Sequence, residues 1–451
     1  MRSQKLTSNQ LGFLSPSLQE QLNDKQSLYL LSGTINWAYF EDEFSGLYSK
    51  EGRPAHPIRL MVSLLILKAI YSLSDEELVE QQWEMNPYFQ YFGGFTTMQW
   101  GQPCAASDLV HFRKRIGNEG VEKILKHSVD LHGKDSRDKH VSIDTTVQEK
   151  NITYPTDAKL HKKIADKCVS IANKEGVALR RSYVRTTKKL VRDTYNGTHP
   201  SRRKKANAAK RKLKTIAGRL IRDLERKLPH NEYETTLSLF KKVIAQGKYD
   251  KNKVYSLHEP QVYCIAKGKA HKKYEYGCKA SVVLTQNTGI IVGAMTFAEN
   301  IYDGHTLTEV LKQTNSLTGF YPNTATVDRG YKGINSIEST TIVRPSKPLK
   351  RDNAYQKQKK RKHCRRRAAI EPIIGHLKKD HRAIINYLKG TTGDQINFMM
   401  AASGFNYKKL MKKLQLVAFW LYSKVETFTS SIDNIFRLVV YYKTSTLKRT
   451  F

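Results

Sequence analysis

The sequence predicts an α/β chain: a mixed sheet flanked by helices, interrupted after its first strand by an all-helical insertion and preceded by a helical N-terminal domain. Two kinds of observation carry this. Apolar residues recur at helical spacing through roughly the first 130 residues and again from about Ala158 to Gln246. Outside those blocks, VSIDTTVQ, QVYCIAK, YEYGCKASVVLT and GIIVGAMTFA alternate or run apolar between turn residues, as strands do. At 451 residues the chain exceeds one ordinary domain. Boundaries are expected at 1–135, 136–415 and 416–451, with the insertion at about 157–248.

In the N-terminal part, Pro57 opens the helix IRLMVSLLILKAIY, which is apolar enough to be largely buried. Ser74 and Glu77 have capping-box spacing ahead of LVEQQWEMN. Asn86-Pro87 stops that helix, and the aromatic stretch PYFQYFGGF ends in a glycine turn. Ser107 is placed to cap a short helix, SDLVHFRKRIG, carrying His111, Arg113, Lys114 and Arg115. Short helices with a basic one last suit a helix-turn-helix type of DNA reader. They suit equally a scaffold whose charged face is merely solvated.

VSIDTTVQ alternates with period two and is the first strand, and Asp144 is a poor strand former inside it. Four helices are expected in the insertion. They are marked by Leu160, Ile164, Cys168 and Ile171; by Val177, Val184 and Val191; by Leu213, Ile216, Leu220, Leu224 and Leu228; and by Tyr233, Leu237, Phe240 and Ile244. NGTHPSRRKK separates the second from the third as a turn and charge run. Cations such as Arg202, Arg203, Lys204, Lys205, Lys210, Arg211 and Lys212 suit a DNA backbone or a solvated hairpin. Strands return after Lys251, with QNTG (Gln286 to Gly289) as a hairpin turn. The second half of NIYDGHTLTEVLKQT reads as a helix. A short strand ends at Asp328, and TTIVRPS is a further strand. A basic linker from Lys357 to Arg367 leads to a helix that starts close to Glu371, because Pro372 fits only a first turn.

Charge narrows the partner. Lys plus Arg total 77 against 41 Asp plus Glu, a net of +36. Such an excess favours nucleic acid, where each neutralised phosphate releases a counterion. A membrane is disfavoured, since no stretch approaches the ~20 apolar residues of a spanning helix. LVAFWLY, from Leu416, is far too short, and MRSQKLTSNQLGF lacks the apolar core of a signal peptide. The five cysteines are scattered, without a close pair, which fits a reducing cytoplasm and no zinc site.

The chemistry gathers in three acids. Asp144 lies on the first strand, Asp328 at the end of a later one, and Glu371 at the start of a helix, among the cations of RRRAAIEPIIGHLKKDHR. One acid alone carries no specificity, but an ordered set on strand ends and a helix start does. Carboxylates that meet repel one another unless a cation joins them. Hard divalent ions such as Mg²⁺ prefer these donors, and a pair can activate one oxygen and stabilise another. Lys378, seven residues on, shares a helical face with Glu371, and Arg382 extends it. His305, Asn300 and Tyr154 read as structural.

The chain resembles bacterial insertion-sequence transposases of the DDE type, in the group named after insertion sequence five. The likeness rests on GRPAHPIRLMVSLLILKAIYSLSDEELVEQ, NPYFQYF, LVHFRKRIG, VSIDTTVQEKNITYPTDAKL, ATVDRGYKG and RRRAAIEPIIGHLKKDHR, and covers about residues 50 to 410. It implies that the catalytic and metal-binding acids are Asp144, Asp328 and Glu371. The related Tyr, Arg, Glu and Lys signature falls on Arg367, Glu371 and Lys378, with Cys364 where the tyrosine stands, which removes a ring contact there. Also implied are an RNase H-like fold, two Mg²⁺ ions with Mn²⁺ able to substitute, and double-stranded DNA (terminal inverted repeats and target) as substrate. A homo-oligomeric synaptic complex and a bacterial, nucleoid-associated location follow as well. Arg113, Lys114, Arg115, Arg365, Arg366, Arg367 and Lys378 are the expected DNA contacts. A nuclease without strand transfer and a non-catalytic DNA-binding relative are the alternatives.

Overall fold

The computed structural model describes residues 16–49, 51–52, 54–228, 232–266 and 272–447, with side chains described as far as 424. The first fifteen residues of the expected N-terminal domain, and most side chains of the expected tail, lie outside the described residues.

The N-terminal part forms α1 (Leu18–Gln21), α2 (Ser27–Thr34), α3 (Trp37–Ser45), α4 (Ile58–Tyr71), a π-helical segment (Glu77–Gln82), α5 (Trp83–Met85), α6 (Pro87–Phe92) and α7 (Ala106–Asp130). Pro57 precedes α4, which is buried around most of its circumference, as its nearly unbroken apolar sequence requires. The Ser74–Glu77 capping box forms, with bonds of 2.7 and 3.0 Å. Asn86 does more than stop a helix: its side chain caps the backbone of Tyr88 and Phe89 and makes the aromatic stretch a helix, α6. The helix expected to be short is the 25-residue α7. It opens at Ala106, with Asp108 accepting the Ala105 N–H, so Ser107 is not the cap. It bends at Gly117 (φ +59°), then continues because Val121, Ile124, Leu125 and Val129 keep helical spacing.

Arg113 corrects an expectation. It is 5 % exposed and forks onto Asp75 at 2.9 and 2.6 Å, so it faces the core and cannot meet DNA. Lys68 reaches the same carboxylate at 2.6 Å. Burial pushes the Asp75 carboxyl up, but its bonds to Arg113 and Lys68 outweigh this and hold it below its ordinary value. Burial pushes the Lys68 amine down to about 8.

The insertion is a four-helix unit: α8 (Asp157–Lys174), α9 (Val184–Asp193), α10 (Pro200–Lys227) and α11 (Glu234–Ala245). It has its own core, built from Ile164, Cys168, Leu213, Leu220 and Phe240 among others. Residues 175–183 are not helical, so Val177 falls outside the second helix, and Pro200 starts α10 inside the expected charge run.

The sheet comprises β1 (His140–Lys150), β2 (Tyr263–Ala266), β3 (Tyr274–Thr285), β4 (Ile291–Phe297), β5 (Thr324–Thr326), β6 (Ser336–Ile337), β7 (Thr340–Val343) and β8 (Ile385–Asn386). Its order is β2-β3-β1-β5-β7-β6, with β4 also on β3 and β8 on β1. β1, β3 and β4 pair antiparallel, while β5 runs parallel to both β1 and β7. α12 (Thr306–Thr318) covers one face, packing Leu307, Val310 and Leu311 on Val141, Ile143 and Val283. Beyond β7 come α13 (Ala354–Ala368), α14 (Ile370–Asp380) and α15 (Gly390–Leu447). The expected basic linker is therefore helix α13, and the expected boundary at 416 falls inside α15.

Ala280, Val282 and Leu284, on the other sheet face, share one core with α4, α7, Ile370, Leu377 and Phe398. The N-terminal helices thus pack on the sheet rather than forming a separate core. α15 joins them: a Cβ at Gly404 would lie 2.6 Å from the Ala69 carbonyl carbon, so only glycine lets α15 lie this close to α4.

The ends of the insertion are clasped. Lys150, at the end of β1, meets Asp394 of α15 at 2.7 Å and Glu259, just before β2, at 3.4 Å, all nearly buried. Burial raises the Asp394 carboxyl despite the bond to Lys150. Lys150→Met should cost about 3–5 kcal/mol in urea unfolding, because it leaves two buried acids unpaired. The deficit should shrink as pH falls, since an acid whose folded pKa is raised binds its proton more readily folded than unfolded. Arg113→Ala should cost a similar ~3–5 kcal/mol by orphaning Asp75, and the same unfolding curves measure it.

Candidate active site

Two acids are set by sheet register. β1 and β5 pair in parallel with Val141 opposite Ala325 and Ser142 opposite Thr326. Continuing by two residues brings Asp328 level with Asp144, on the same face, one strand spacing of roughly 4.8 Å away. β5 ends at Thr326, so Asp328 sits in the loop beyond it, while Asp144 lies mid-strand. Asp144 is therefore the more enclosed, 17 % exposed against 52 % for Asp328. Each aims one oxygen at the next backbone N–H, both at 2.8 Å (Thr145 and Arg329).

The third acid comes from the helices over this face. Ser142 donates to the Arg366 carbonyl at 3.4 Å, docking the end of α13 on β1. Ala369 keeps helical dihedrals between α13 and α14, so Arg367 is four residues before Glu371 on nearly continuous helix. Pro372 takes the third position of α14, where its missing N–H costs nothing. Ile370 and Leu377 anchor α14 in the core and leave Glu371 exposed.

Arg367 links all three. Its guanidinium lies 2.5 Å from Glu371, 3.4 Å from Asp144 and 3.6 Å from Asp328. It was expected to face DNA; it points to the carboxylates. Among the described residues no three acid, His or Cys side chains converge closely enough to hold an ion as they stand. The donor set nonetheless has the chemistry of a hard-cation site: carboxylate oxygens from three elements already answer to one positive charge.

Around them the surface is cationic. A groove of about 520 Å³ runs beside Asp328, lined by Arg329, Lys347, Arg361, Arg365 and Arg367, with Val327, Pro345, Pro348 and Cys364 as walls. Arg366 is half-buried and donates to Gln286 at 3.3 Å. Lys378 is half-buried in the last turn of α14. Lys114 and Arg115 are exposed on α7, with Arg115 over the Tyr48 ring. Arg382 does not extend the face of Glu371: α14 ends at Asp380, and Arg382 (φ +60°) donates to Ser72 O at 3.2 Å.

Two residues close to the acids, Asp303 and Tyr331, went unread in the sequence. Asp303 accepts from Thr145 at 3.0 Å and from Lys279 at 2.8 Å, bracing the strand that carries Asp144. Tyr331 is 2 % exposed; burial first, then the charges of Asp144, Asp303 and Asp328, push its hydroxyl far above its ordinary pKa. The only sequence signal was their place in YDGH and DRGY. His305 is exposed and stands edge-on to Tyr302.

Residues 16–115 match the family described as Transposase domain (DUF772), and residues 245–406 match the family described as Transposase DDE domain. Asp328 and Glu371 lie inside the second match; Asp144 lies between the two. A Rhizobium meliloti protein described as uncharacterized protein ORF8 in nfe locus is 42% identical over 196 residues, which is 42% of this chain and 94% of that protein. No solved structure gives a significant match.

Arg367→Gln should tighten Mg²⁺ binding by the DNA-free protein, measured by calorimetry, by about tenfold. Asp328 and Glu371 are more than half exposed, so solvent screens the lost charge and the effect stays near the ~1.4 kcal/mol that tenfold represents.

Proposed function

The chain belongs to the DDE transposase family, and on that footing we propose that it cuts DNA at the terminal inverted repeats of an insertion sequence and joins those ends to target DNA. The observation that carries this reading is the meeting of three carboxylates, from β1, the loop after β5 and α14, at one guanidinium. The strand order β4-β3-β1-β5-β7, antiparallel then parallel, supports an RNase H-like core. The motifs around Glu371 support the group named after insertion sequence five.

Asp144, Asp328 and Glu371 are the residues to hold magnesium. A pair of bound ions supplies the charge that activates the attacking oxygen and stabilises the leaving one. The register of β1 and β5 sets two acids side by side, and α14 brings the third from above. Arg367, freed from the carboxylates, and Lys378 hold the phosphates beside the scissile bond. Lys114, Arg115, Arg365 and Arg366 grip the backbone away from it. Water first displaces the element's 3′ oxygen from a terminal phosphodiester. That 3′ hydroxyl then displaces a 3′ oxygen of the target strand. Two ends must be held together for this, so the working form is a homo-oligomer on DNA. No described helix is long and apolar enough to cross a membrane, and a nucleoid-bound cytoplasmic protein is the matching setting.

Asp144→Ala, Asp328→Ala and Glu371→Ala should each reduce end cleavage to background in magnesium while retaining binding of the terminal repeat. Full cleavage by any of them refutes its assignment. Cleaved ends that are never joined to a second duplex would favour a nuclease; metal-indifferent binding without nicking would favour a non-catalytic relative.

A further inference from the structure

We propose that the helical insertion carries its own phosphate-binding groove, which takes the backbone of duplex DNA outside the catalytic site. The groove has a volume of about 780 Å³ and is lined by Arg180, Arg181, Arg219, Arg222 and Arg226. The inference rests on the transposase reading above and adds a contact surface to it.

One wall is a helix face. Arg219, Arg222 and Arg226 are spaced three and four apart on α10, so they project along one side. From first to last they span about 10 Å, at 1.5 Å per residue. One DNA strand carries a phosphate for every roughly 3.4 Å of duplex axis, so a wall of this length can meet more than one phosphate. The other wall is the extended segment bearing Arg180 and Arg181. A guanidinium fork suits phosphate oxygens better than an ammonium does.

The walls are fixed to each other. Asp223 of α10 accepts the Arg180 N–H at 3.4 Å, and Lys227 donates to the Ala178 carbonyl at 2.6 Å. The two acids lining the groove are already engaged. Asp223 pairs with Arg226 and Lys227, and Glu225 pairs with Lys241 of α11. Among the described residues no ion pair ties Arg180, Arg181, Arg219 or Arg222 to a carboxylate. Holding these cations together costs stability without a polyanion to answer them. Tyr183 adds a second sign of purpose. It lines the groove at φ +58°, a conformation unusual for a bulky side chain, with the Arg181 guanidinium 5.4 Å from its ring centre.

Duplex DNA fits better than a lipid surface. Membrane-surface binding needs an apolar face beside the cations, and the aliphatic member of this lining, Leu220, is buried.

The test uses the full chain and two duplexes, one carrying the terminal repeat and one scrambled, with affinity measured across salt concentrations. In Arg219→Ala/Arg222→Ala the slope of log K against log salt should shrink by about 2, roughly 1 per lost phosphate contact. Affinity should drop equally for both duplexes. Thermal unfolding should hold or rise slightly, because both side chains are exposed and their loss relieves like-charge repulsion. Arg219→Lys/Arg222→Lys should restore the slope. An unchanged slope and affinity in the alanine variant, with wild-type binding intact, overturns the groove alone. So does a loss seen only on anionic phosphatidylserine vesicles. A wild-type chain that binds neither duplex overturns the proposed function and this groove with it.

Discussion

Asp144, Asp328 and Glu371 gather like charge around one point, and a positive charge among them offsets their repulsion. Much of the structure answers that constraint. The parallel register of β1 with β5 brings two acids level. The near-continuous run from α13 into α14 supplies the third, together with the arginine that meets all three. The acids are bought into place by packing elsewhere: Ile370 and Leu377 seat α14 in the same core that holds α4, α7 and the sheet. A shift of one residue in any of these elements would turn its acid to another face.

That common core makes α15 more than a C-terminal helix. It lies against α4 and α7 on one side and β4 on the other, and its first turns supply Asp394 to the clasp on Lys150. The N-terminal helices are therefore coupled mechanically to the sheet that presents the acids. Packed side chains run without a break from α7 to the sheet face that bears Asp144.

Much of this was legible in the sequence, and the failures have physical causes. The strands, the QNTG turn, the four insertion helices and the capping box at Ser74 were written in local pattern. Arg113 was misread because its partner, Asp75, is distant in sequence, and an arginine's burial depends wholly on its partner. α13 was misread as a linker because it has no buried residue to reveal a period. The end of α14 at Asp380, which removes Arg382 from the face of Glu371, left no sequence mark. That Arg367 meets all three acids in this structure was not legible, since a guanidinium suits phosphate and carboxylate alike. Asp303 and Tyr331 were passed over because a braced acid and a buried phenol have no local signature.

The clasp of Lys150 with Glu259 and Asp394 has a consequence for descent. It ties together the two points where the insertion leaves and rejoins the sheet, so the sheet hardly registers what lies between them. Each doubling of a flexible connection costs only about 0.6 kcal/mol in closure entropy. A bundle with its own core, hung from such a closed gate, is free to lengthen, shrink or be exchanged while the acids stay where they are. Related chains would then diverge most in this module and least around its hinge posts.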